Sequence, residues 1–446
     1  MSSVTSPINL NAIPKIDGIP VVEFAKNAIA FSSSTLPQHL LAWWKTYGAV
    51  FRIPMPGVQM VVFSEEKLIK EMLLNHKVFA KGPLFKGLRD LLGESVLIED
   101  GDHWLLLRRI INRAFGDLSN DLLNQTFAEQ TAQMTQSWTE GSSVNLFEQT
   151  NHIALNIMWK LMFLADRDPA YKQAMSEAFV TCVKFLNRGA MIPLPQQFMP
   201  GYGDYKAANS LLTQVFDSLL HETVENSSPE SETITKILVD AYGSHDVAIA
   251  QLKTLVLAGH ETTQISLSWI LYHIAEDPAL QEALKAEIRA NYQEGKPLAD
   301  AQFPLLVATI TESLRLWPAT FIIPRQTTEP VALGPYQLPA GVMTIGSTML
   351  AHRDPIFHNA QGNSTVEDFD PYRFINNPNL YLHTLSFGHG PRKCLGANFA
   401  MEESKQIVAY LLSHFTLKST GQKPIPFNVG GIIRPNPAPV VTVERA

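Results

Sequence analysis

Cysteine is scarce in this chain of 446 residues, which holds only Cys182 and Cys394. That scarcity excludes a disulfide framework and any thiolate-rich zinc or iron–sulfur site. Basic residues are also few: 35 Lys and Arg against 42 Asp and Glu give a net charge of −7, which argues against a protein that tracks nucleic-acid phosphates. Residues 1–27 lack an apolar run long enough for a signal peptide or membrane anchor. These absences predict a soluble, cytoplasmic protein in which any working cysteine acts alone.

Helical spacing of apolar residues dominates what is present, so the chain is predicted to be mainly α with small β-sheets. The strongest signal is one helix over about residues 245–276, stopped by Pro278. A final helix is expected over about 397–415, and a hairpin over 50–63 around a Pro56-Gly57 turn. Short strands are expected at 320–323, 331–333 and 342–345, and a coil at 368–379.

Neither repeats nor a linker interrupt this pattern. The sequence therefore predicts one domain over residues 1–446, of which about 1–40 form an N-terminal extension. No membrane anchor and no fused reductase are expected.

Residues 387–396 read Phe-Gly-His-Gly-Pro-Arg-Lys-Cys-Leu-Gly. The glycines at 388, 390 and 396 let the backbone bend and approach a flat group closely. Cys394 precedes a predicted helix N-terminus, which stabilises an anionic sulfur, and Arg392 can pair with a carboxylate such as a heme propionate. A buried structural cysteine beside an ordinary turn is the alternative.

This stretch resembles the heme-binding loop of the cytochrome P-450 family of heme-thiolate monooxygenases, every fixed position of whose signature is filled. The resemblance implies an α+β fold in a single domain. It also implies a heme b held between the long central helix and the helix after the cysteine loop, with Cys394 as axial ligand of the iron. The loop residues that would bind the cofactor are Phe387, Gly388, Arg392, Cys394 and Gly396.

A polar stretch, Ala258-Gly259-His260-Glu261-Thr262-Thr263, interrupts the apolar long helix. Back-bonding of the threonines to the helix is one reading. The stretch also resembles the family's oxygen-binding segment, in which Ala258 and Gly259 make room at the heme face. Glu261 and Thr262 would then loosen the helix, hold water and deliver protons. His260 is expected to make a tertiary contact rather than bind iron.

Four arginines, one glutamate and one tryptophan resemble other family positions. Glu312 and Arg315, three apart, would be an ordinary surface ion pair if taken alone; in the family this spacing forms a structural network, which Arg373 from the downstream coil would close. Trp104, Arg108 and Arg325 are expected to contact the heme propionates with Arg392, because two isolated charges in an apolar pocket would be prohibitive.

Substrate contacts, by resemblance, would come from residues 79–97, 179–205, the long helix before Ala258, 319–323 and 429–433. Their apolar character predicts an apolar substrate, with Lys81, Lys86 and Arg89 as candidate anchors for a carboxylate or simply solvated lysines and arginine.

Electrons from NAD(P)H would arrive through a ferredoxin or flavodoxin and its reductase. The docking face would lie behind Cys394, with positive charge from Lys393, Lys405 and Arg113. O2 would be the co-substrate. The alternatives are a peroxide-driven peroxygenase or decarboxylase, and a non-catalytic heme-binding protein.

Overall fold

The computed structural model describes residues 8–15, 34–55, 58–82, 85, 87–163, 167–189, 195–228, 233–359, 361–429 and 431–446. Helices dominate these residues. They are α1 Leu36–Tyr47, α2 Glu66–Leu74, α3 Arg89–Leu92, α4 Gly101–Gly116, α5 Asn120–Thr135, α6 Leu146–Met162, α7 Pro169–Gly189, α8 Tyr202–Asn226, α9 Ile234–Tyr242, α10 His245–Glu276, α11 Pro278–Asn291, α12 Pro304–Leu316, α13 Thr348–Ala351, α14 Tyr372–Asn376 and α15 Ala397–His414.

The strands among the described residues are short and form four small sheets. They are β1 Ile8–Asn9, β2 Val50–Met55, β3 Val58–Phe63, β4 Phe79–Ala80, β5 Ser143–Asn145, β6 Ile322–Thr327, β7 Val331–Leu333, β8 Tyr336–Leu338, β9 Met343–Ser347, β10 Phe415–Ser419, β11 Ile425–Val429, β12 Ile432–Asn436 and β13 Val440–Arg445. The largest sheet has the order β2-β3-β9-β6-β4, with β3 and β9 parallel. The structure therefore confirms the predicted mainly helical fold with small sheets.

Helix α10 is the central element, with 32 residues and a length of about 48 Å at 1.5 Å per residue. Most of its side chains are buried, as expected for a helix surrounded by others. It ends where the sequence predicts, because Asp277 accepts a hydrogen bond from the Leu280 N–H at 2.9 Å and caps α11, whose first residue is Pro278. Helices α6, α8, α9 and α12 pack against it.

Local predictions held best where a turn or proline fixes an element. The hairpin pairs Val50 with Phe63 and Met55 with Val58, while its Pro56-Gly57 turn lies outside the described residues. The predicted coil at 368–379 is wrong in part: it contains α14 and the start of a 3-10 turn at Pro378–His383. Among the described residues, no helix is long and apolar enough to cross a membrane.

Candidate functional site

The cysteine loop is a compact turn that ends at the first residue of α15. The Cys394 N–H donates to the Phe387 carbonyl at 2.9 Å, and the Lys393 N–H donates to the Gly390 carbonyl at 3.0 Å. The Gly396 N–H bonds to the Cys394 sulfur. Burial raises the pKa of the Cys394 thiol, whereas this N–H and the charges of Arg108 and Lys393 act in the opposite direction.

Two glycines are required by the loop's path. Gly388 and Gly390 have φ angles of 71° and 69°, a region that side chains other than glycine rarely adopt. A Cβ on Gly390 would also lie 3.0 Å from the Leu73 carbonyl oxygen of α2. The backbone of the loop therefore packs directly on α2.

Cys394 opens onto a cavity of about 410 Å³ between the cysteine loop and α10. The loop contributes Phe387, Gly388, Arg392 and Gly396 to its wall, and α10 contributes Ala258, Gly259 and Thr262. The cavity therefore brings together the two motifs that the sequence analysis singled out, although they lie more than 120 residues apart.

Helix α10 is unbroken along the cavity, so the expected loosening at residues 258–263 does not occur. Thr262 donates its hydroxyl to the Ala258 carbonyl at 2.5 Å. Gly259 packs closely against α6, since an added Cβ would lie 3.0 Å from the sulfur of Met158, which also lines the cavity. The helix thus presents small side chains and one hydroxyl to the cavity.

The Glu261 side chain is turned away from this cavity. It forms an ion pair with Arg434 of β12, whose Nε lies 2.9 Å from the Glu261 Oε1. Both side chains line a second cavity of about 810 Å³, whose wall also includes Asn151 and Gln264. The acid and the alcohol predicted to cooperate therefore face different cavities across α10.

His260 also faces the second cavity and makes the tertiary contact expected of it. Its Nε2 lies 2.8 Å from the Asn151 Oδ1, and burial lowers its pKa to about 4. A neutral imidazole bonded to an amide oxygen donates from Nε2.

One end of the 410 Å³ cavity is strongly basic. Trp104, Arg108, Arg325 and Arg392 line it together, as the sequence predicted for a propionate site, and Lys81 joins them. The Arg392 guanidinium lies 4.0 Å from the centre of the Trp104 ring, and Arg108 donates to the Lys393 carbonyl at 2.7 Å.

This cationic group is incompletely neutralised. Arg392 is paired with Asp100, yet its Nη1 is buried and has no partner among the described residues. Arg325 donates to the Pro324 carbonyl at 2.7 Å; burial, and then the charge of Arg392, lowers its pKa to about 10. Burial and the same arginines hold the pKa of Lys81 well below its usual range. A buried excess of positive charge calls for an anionic ligand.

Glu312, Arg315 and Arg373 form one fully buried network. Arg315 donates to both carboxylate oxygens of Glu312, at 2.6 and 2.9 Å, and Arg373 of α14 donates from Nε at 3.0 Å. The Asp370 N–H is a further donor at 2.9 Å. The remaining donors of Arg315 reach backbone carbonyls, among them that of His352 at 2.8 Å. None of these three charged residues lines the cavity.

His352 joins this network to the cysteine loop, although no sequence pattern points to this residue. Its Nδ1 lies 3.0 Å from the Arg315 carbonyl, and its Nε2 accepts the Leu385 N–H at 2.7 Å. The Leu385 carbonyl in turn accepts the Gly388 N–H at 2.8 Å. Because burial and Arg315 lower its pKa to about 3, His352 is neutral and carries its proton on Nδ1.

Described residues of three of the five expected substrate segments line the 410 Å³ cavity. Phe85, Val96 and Leu97 line it from residues 79–97, Thr254 and Leu255 from α10, and Ala319 with its neighbours from 319–323. The described parts of 179–205 and 429–433 contribute nothing to its wall. Within those two ranges, Phe179 packs in the core and also lines the second cavity, and the Ile433 N–H donates to the Ala319 carbonyl. Substrate contact by either range stays a prediction.

Arg89 agrees with the solvated alternative, whereas Lys405 lies elsewhere than expected. Arg89 is paired with Glu94 and Glu99 and does not line the cavity, while Lys86 lies outside the described residues. Lys405 was expected on an exposed docking face, but it is buried and paired with Asp300 and Glu402. Burying its ammonium requires those two carboxylates.

A lone cysteine at an apolar cavity with a basic rim is an arrangement typical of heme-thiolate enzymes. Comparison with known proteins indicates the same class. A model of the cytochrome P450 family matches residues 18–443. The chain belongs to the cytochrome P450 family, and it is an oxidoreductase that depends on heme and O2.

Its relatives include bacterial and plant enzymes. A cyclooctat-9-en-7-ol 5-monooxygenase of Streptomyces melanosporofaciens is 26% identical over 428 residues, covering 92% of this chain and 91% of the relative. The chloroplastic protein LUTEIN DEFICIENT 5 of Arabidopsis thaliana is 26% identical over 90% of this chain and 72% of its own. A cytokinin hydroxylase of the same plant is 27% identical over 85% and 77%. Membership of the family implies a small-molecule substrate and redox partners.

Proposed function

We propose that this chain, as a single domain, is a monooxygenase that inserts one atom of O2 into an apolar small organic molecule, by hydroxylation or epoxidation. The supporting observation is the lone Cys394 thiol, which opens onto an apolar cavity whose basic end is incompletely neutralised. A heme b, when bound, supplies the iron that activates O2. Every further contribution comes from residues of this chain.

The cavity fits a heme on two counts. Cys394, with the Gly396 N–H directed at its sulfur, would supply the thiolate that ligates the iron. The basic end of the cavity offers Arg108, Arg325 and Arg392, whose excess positive charge matches two propionates. The buried, unpartnered Nη1 of Arg392 is the donor that a propionate oxygen would satisfy.

Lys81 belongs with this propionate site in our proposal, rather than with a substrate carboxylate. Its backbone N–H bonds to the Asp100 carboxylate at 3.3 Å, and its ammonium lies 4.4 Å from the centre of the Phe85 ring. Arg325 and Arg392 are the charges that act on it. The substrate end of the cavity then keeps no described cation of its own.

Thr262 and Glu261 are the proposed proton-delivery pair. The Thr262 hydroxyl lines the cavity and can exchange its bond to the Ala258 carbonyl for one to water. Glu261 stands on the side of the second cavity, whose polar wall admits water. Release of its carboxylate from Arg434 would let Glu261 carry protons from that water towards Thr262.

The substrate end of the cavity supports an apolar ligand. Its wall consists of Phe85, Val96, Leu97, Leu255, Ala319, Ile322 and Ile323, with the hydroxyls of Thr254 and Thr320. Such a wall favours hydrocarbon skeletons with few polar groups, among them terpenoid, steroid or fatty acyl chains. A relative named for cyclooctat-9-en-7-ol is consistent with this class.

Electrons from NAD(P)H are proposed to arrive through a ferredoxin or flavodoxin at the face that carries Lys393 and Arg113, which are both exposed. Acidic partners are steered by such charges, so R113E should slow reduction of the iron in a salt-dependent manner. R289E is the matched control, because Arg289 is similarly exposed, also pairs with an acid, and lies on α11, which contributes nothing to the cavity. Equal rates for both variants would remove Arg113 from the docking face.

The proposed reaction is tested with NADPH, a surrogate ferredoxin and ferredoxin reductase, and ¹⁸O2, on apolar compounds selected by their spin-state shift. We expect products that carry one ¹⁸O atom. Equal product formation with hydrogen peroxide alone would instead indicate a peroxygenase. Reduction without any product, over a panel of compounds that bind, would favour a non-catalytic heme protein.

A further inference from the structure

One buried glutamine of the central helix bonds to the backbone of the cavity wall. Gln251 is fully buried, with 0% of its surface exposed. Its Oε1 accepts the Val96 N–H at 2.9 Å, and its Nε2 donates to the Glu94 carbonyl at 2.8 Å. Residues 93–100 form neither helix nor strand. The side chain therefore supplies the two hydrogen bonds that a neighbouring strand would otherwise give this segment.

Neighbouring contacts hold the same segment against α10. Lys253, two residues after Gln251, donates to the carbonyl of Leu91, in the short helix α3 just before the segment, at 3.5 Å and to the Thr213 hydroxyl of α8 at 2.9 Å. Gly93 has a φ of 64°, and a Cβ there would lie 3.3 Å from the Ala250 Cβ. The backbone of the segment thus runs at van der Waals distance from the helix.

This segment shapes the substrate end of the cavity. Val96 and Leu97 line the cavity together with Ala319 and its neighbours, and Val96 is itself one of the residues that Gln251 bonds. Without the glutamine amide, the buried Val96 N–H would have no acceptor and the partly buried Glu94 carbonyl would lose a donor, which destabilises the segment in its present position. The segment would move to reach water, and the two apolar side chains would move with it.

We propose that Gln251 is a positioning residue for the substrate: by fixing residues 94–97 it sets the position of the Val96 and Leu97 wall. This inference rests on the proposed function of the cavity as a substrate site. Gln251 touches no reacting atom, and its effect is confined to ligands large enough to contact the wall. A ligand that stays at the iron is unaffected by it.

We call the pair of hydrogen bonds from the Gln251 side chain to this backbone segment a clamp. The chain provides a matched control for its loss. Gln281 of α11 is also buried, and it makes the same pair of bonds to one residue: Nε2 to the Leu417 carbonyl at 2.8 Å and Oε1 from the Leu417 N–H at 2.7 Å. Neither residue lines the cavity. Q251M and Q281M therefore each remove two hydrogen bonds between a buried glutamine side chain and backbone. In Q251M the lost bonds lie at the cavity wall, and in Q281M they lie away from it.

The test compares two iron-binding azoles by optical titration of the holoenzyme. Imidazole is small and occupies the iron site, whereas clotrimazole carries three aryl rings that reach the wall. Q251M should raise the ratio of the clotrimazole Kd to the imidazole Kd about five- to tenfold, because binding then has to order the loosened segment. Q281M should leave that ratio unchanged while lowering the melting temperature by a similar amount. An unchanged or lowered ratio in Q251M overturns the proposal.

Hydrogen exchange of the wild-type protein gives a second test that needs no variant. The Val96 amide should exchange as slowly as the amides in the middle of α10, although it lies in an irregular segment. Fast exchange of Val96 would overturn the clamp even if Q251M failed to fold. A missing thiolate-type carbon monoxide spectrum would instead refute the proposed function and leave the exchange result standing.

Discussion

The His352 Nε2 accepts the Leu385 N–H at 2.7 Å, two residues before the cysteine loop begins. On its other side, the same ring bonds to the Arg315 carbonyl, and Arg315 is held by Glu312. A buried ion-pair network is thereby connected to the loop that carries Cys394 by one neutral imidazole. We infer that the network positions the sulfur without touching the cavity.

Replacing His352 by leucine should loosen the cysteine loop, because the Leu385 N–H is then buried without an acceptor. We expect H352L to release heme to apomyoglobin about tenfold faster than the wild-type protein does, a loss of the order of 1.4 kcal/mol. H273L is the control: His273 is equally buried and neutral, and it bonds to the Ser313 hydroxyl rather than to the loop. Equal heme release from both variants would contradict the assigned role of His352.

Lys81 and Arg325 should both contribute to heme retention. Removing either cation leaves the propionates less well neutralised, so K81M and R325M are expected to transfer heme to apomyoglobin about 10- to 100-fold faster. R89M should have no effect, since Arg89 is near in sequence but is paired with Glu94 and Glu99 outside the cavity. If K81M retains heme while binding fatty acids more weakly than neutral esters, Lys81 is a substrate anchor after all.

Glu261 should matter for turnover and not for substrate binding. E261Q removes the proton-carrying group but keeps its shape, and we expect kcat to fall about 100-fold, within the range of general acid–base catalysis, with the substrate Kd unchanged. The solvent deuterium isotope effect on kcat should rise in the same variant. D246N, a carboxylate change in the first turn of the same helix, provides the comparison. A normal kcat for E261Q would exclude Glu261 from proton delivery.

Glu403 of α15 should make stability depend on pH. Burial raises its pKa from 4.5 to about 8, although a bond with Thr263 lowers it. The folded protein therefore binds this proton more tightly than the unfolded chain, so the stabilisation is complete below about pH 4.5 and declines as the pH rises through 8. E403Q stays neutral, and its melting temperature relative to that of the wild-type protein should rise between pH 5 and pH 9. A constant difference would show that Glu403 is already ionised at pH 5.

The elements that sequence reasoning located well are those whose signals are local. The cysteine loop and the start of α15 follow from glycine spacing, and the end of α10 follows from Asp277 and Pro278. The polar stretch at Ala258 and Thr262 was found for the same reason. Each of these signals lies within ten residues of the feature it predicts.

Contacts between distant segments escaped the sequence. Arg434 and Glu261 form an ion pair although they are 173 positions apart, so the sequence around either residue does not predict the pair. His352 and Gln251 bond to backbone groups of distant segments. Every residue type carries those backbone groups, so the side chains at the bonded positions do not reveal the contact. Lys405 was misplaced because its exposure depends on Asp300, more than 100 residues away.

The central claim is that Cys394 ligates a heme iron, and the most direct measurement is the carbon monoxide difference spectrum of the dithionite-reduced protein. The wild-type protein and C182S should both show the red-shifted Soret band of a thiolate-ligated heme, since Cys182 lies in the core. C394S should lose that band. A band typical of histidine ligation in the wild-type protein, or its persistence in C394S, would contradict the account.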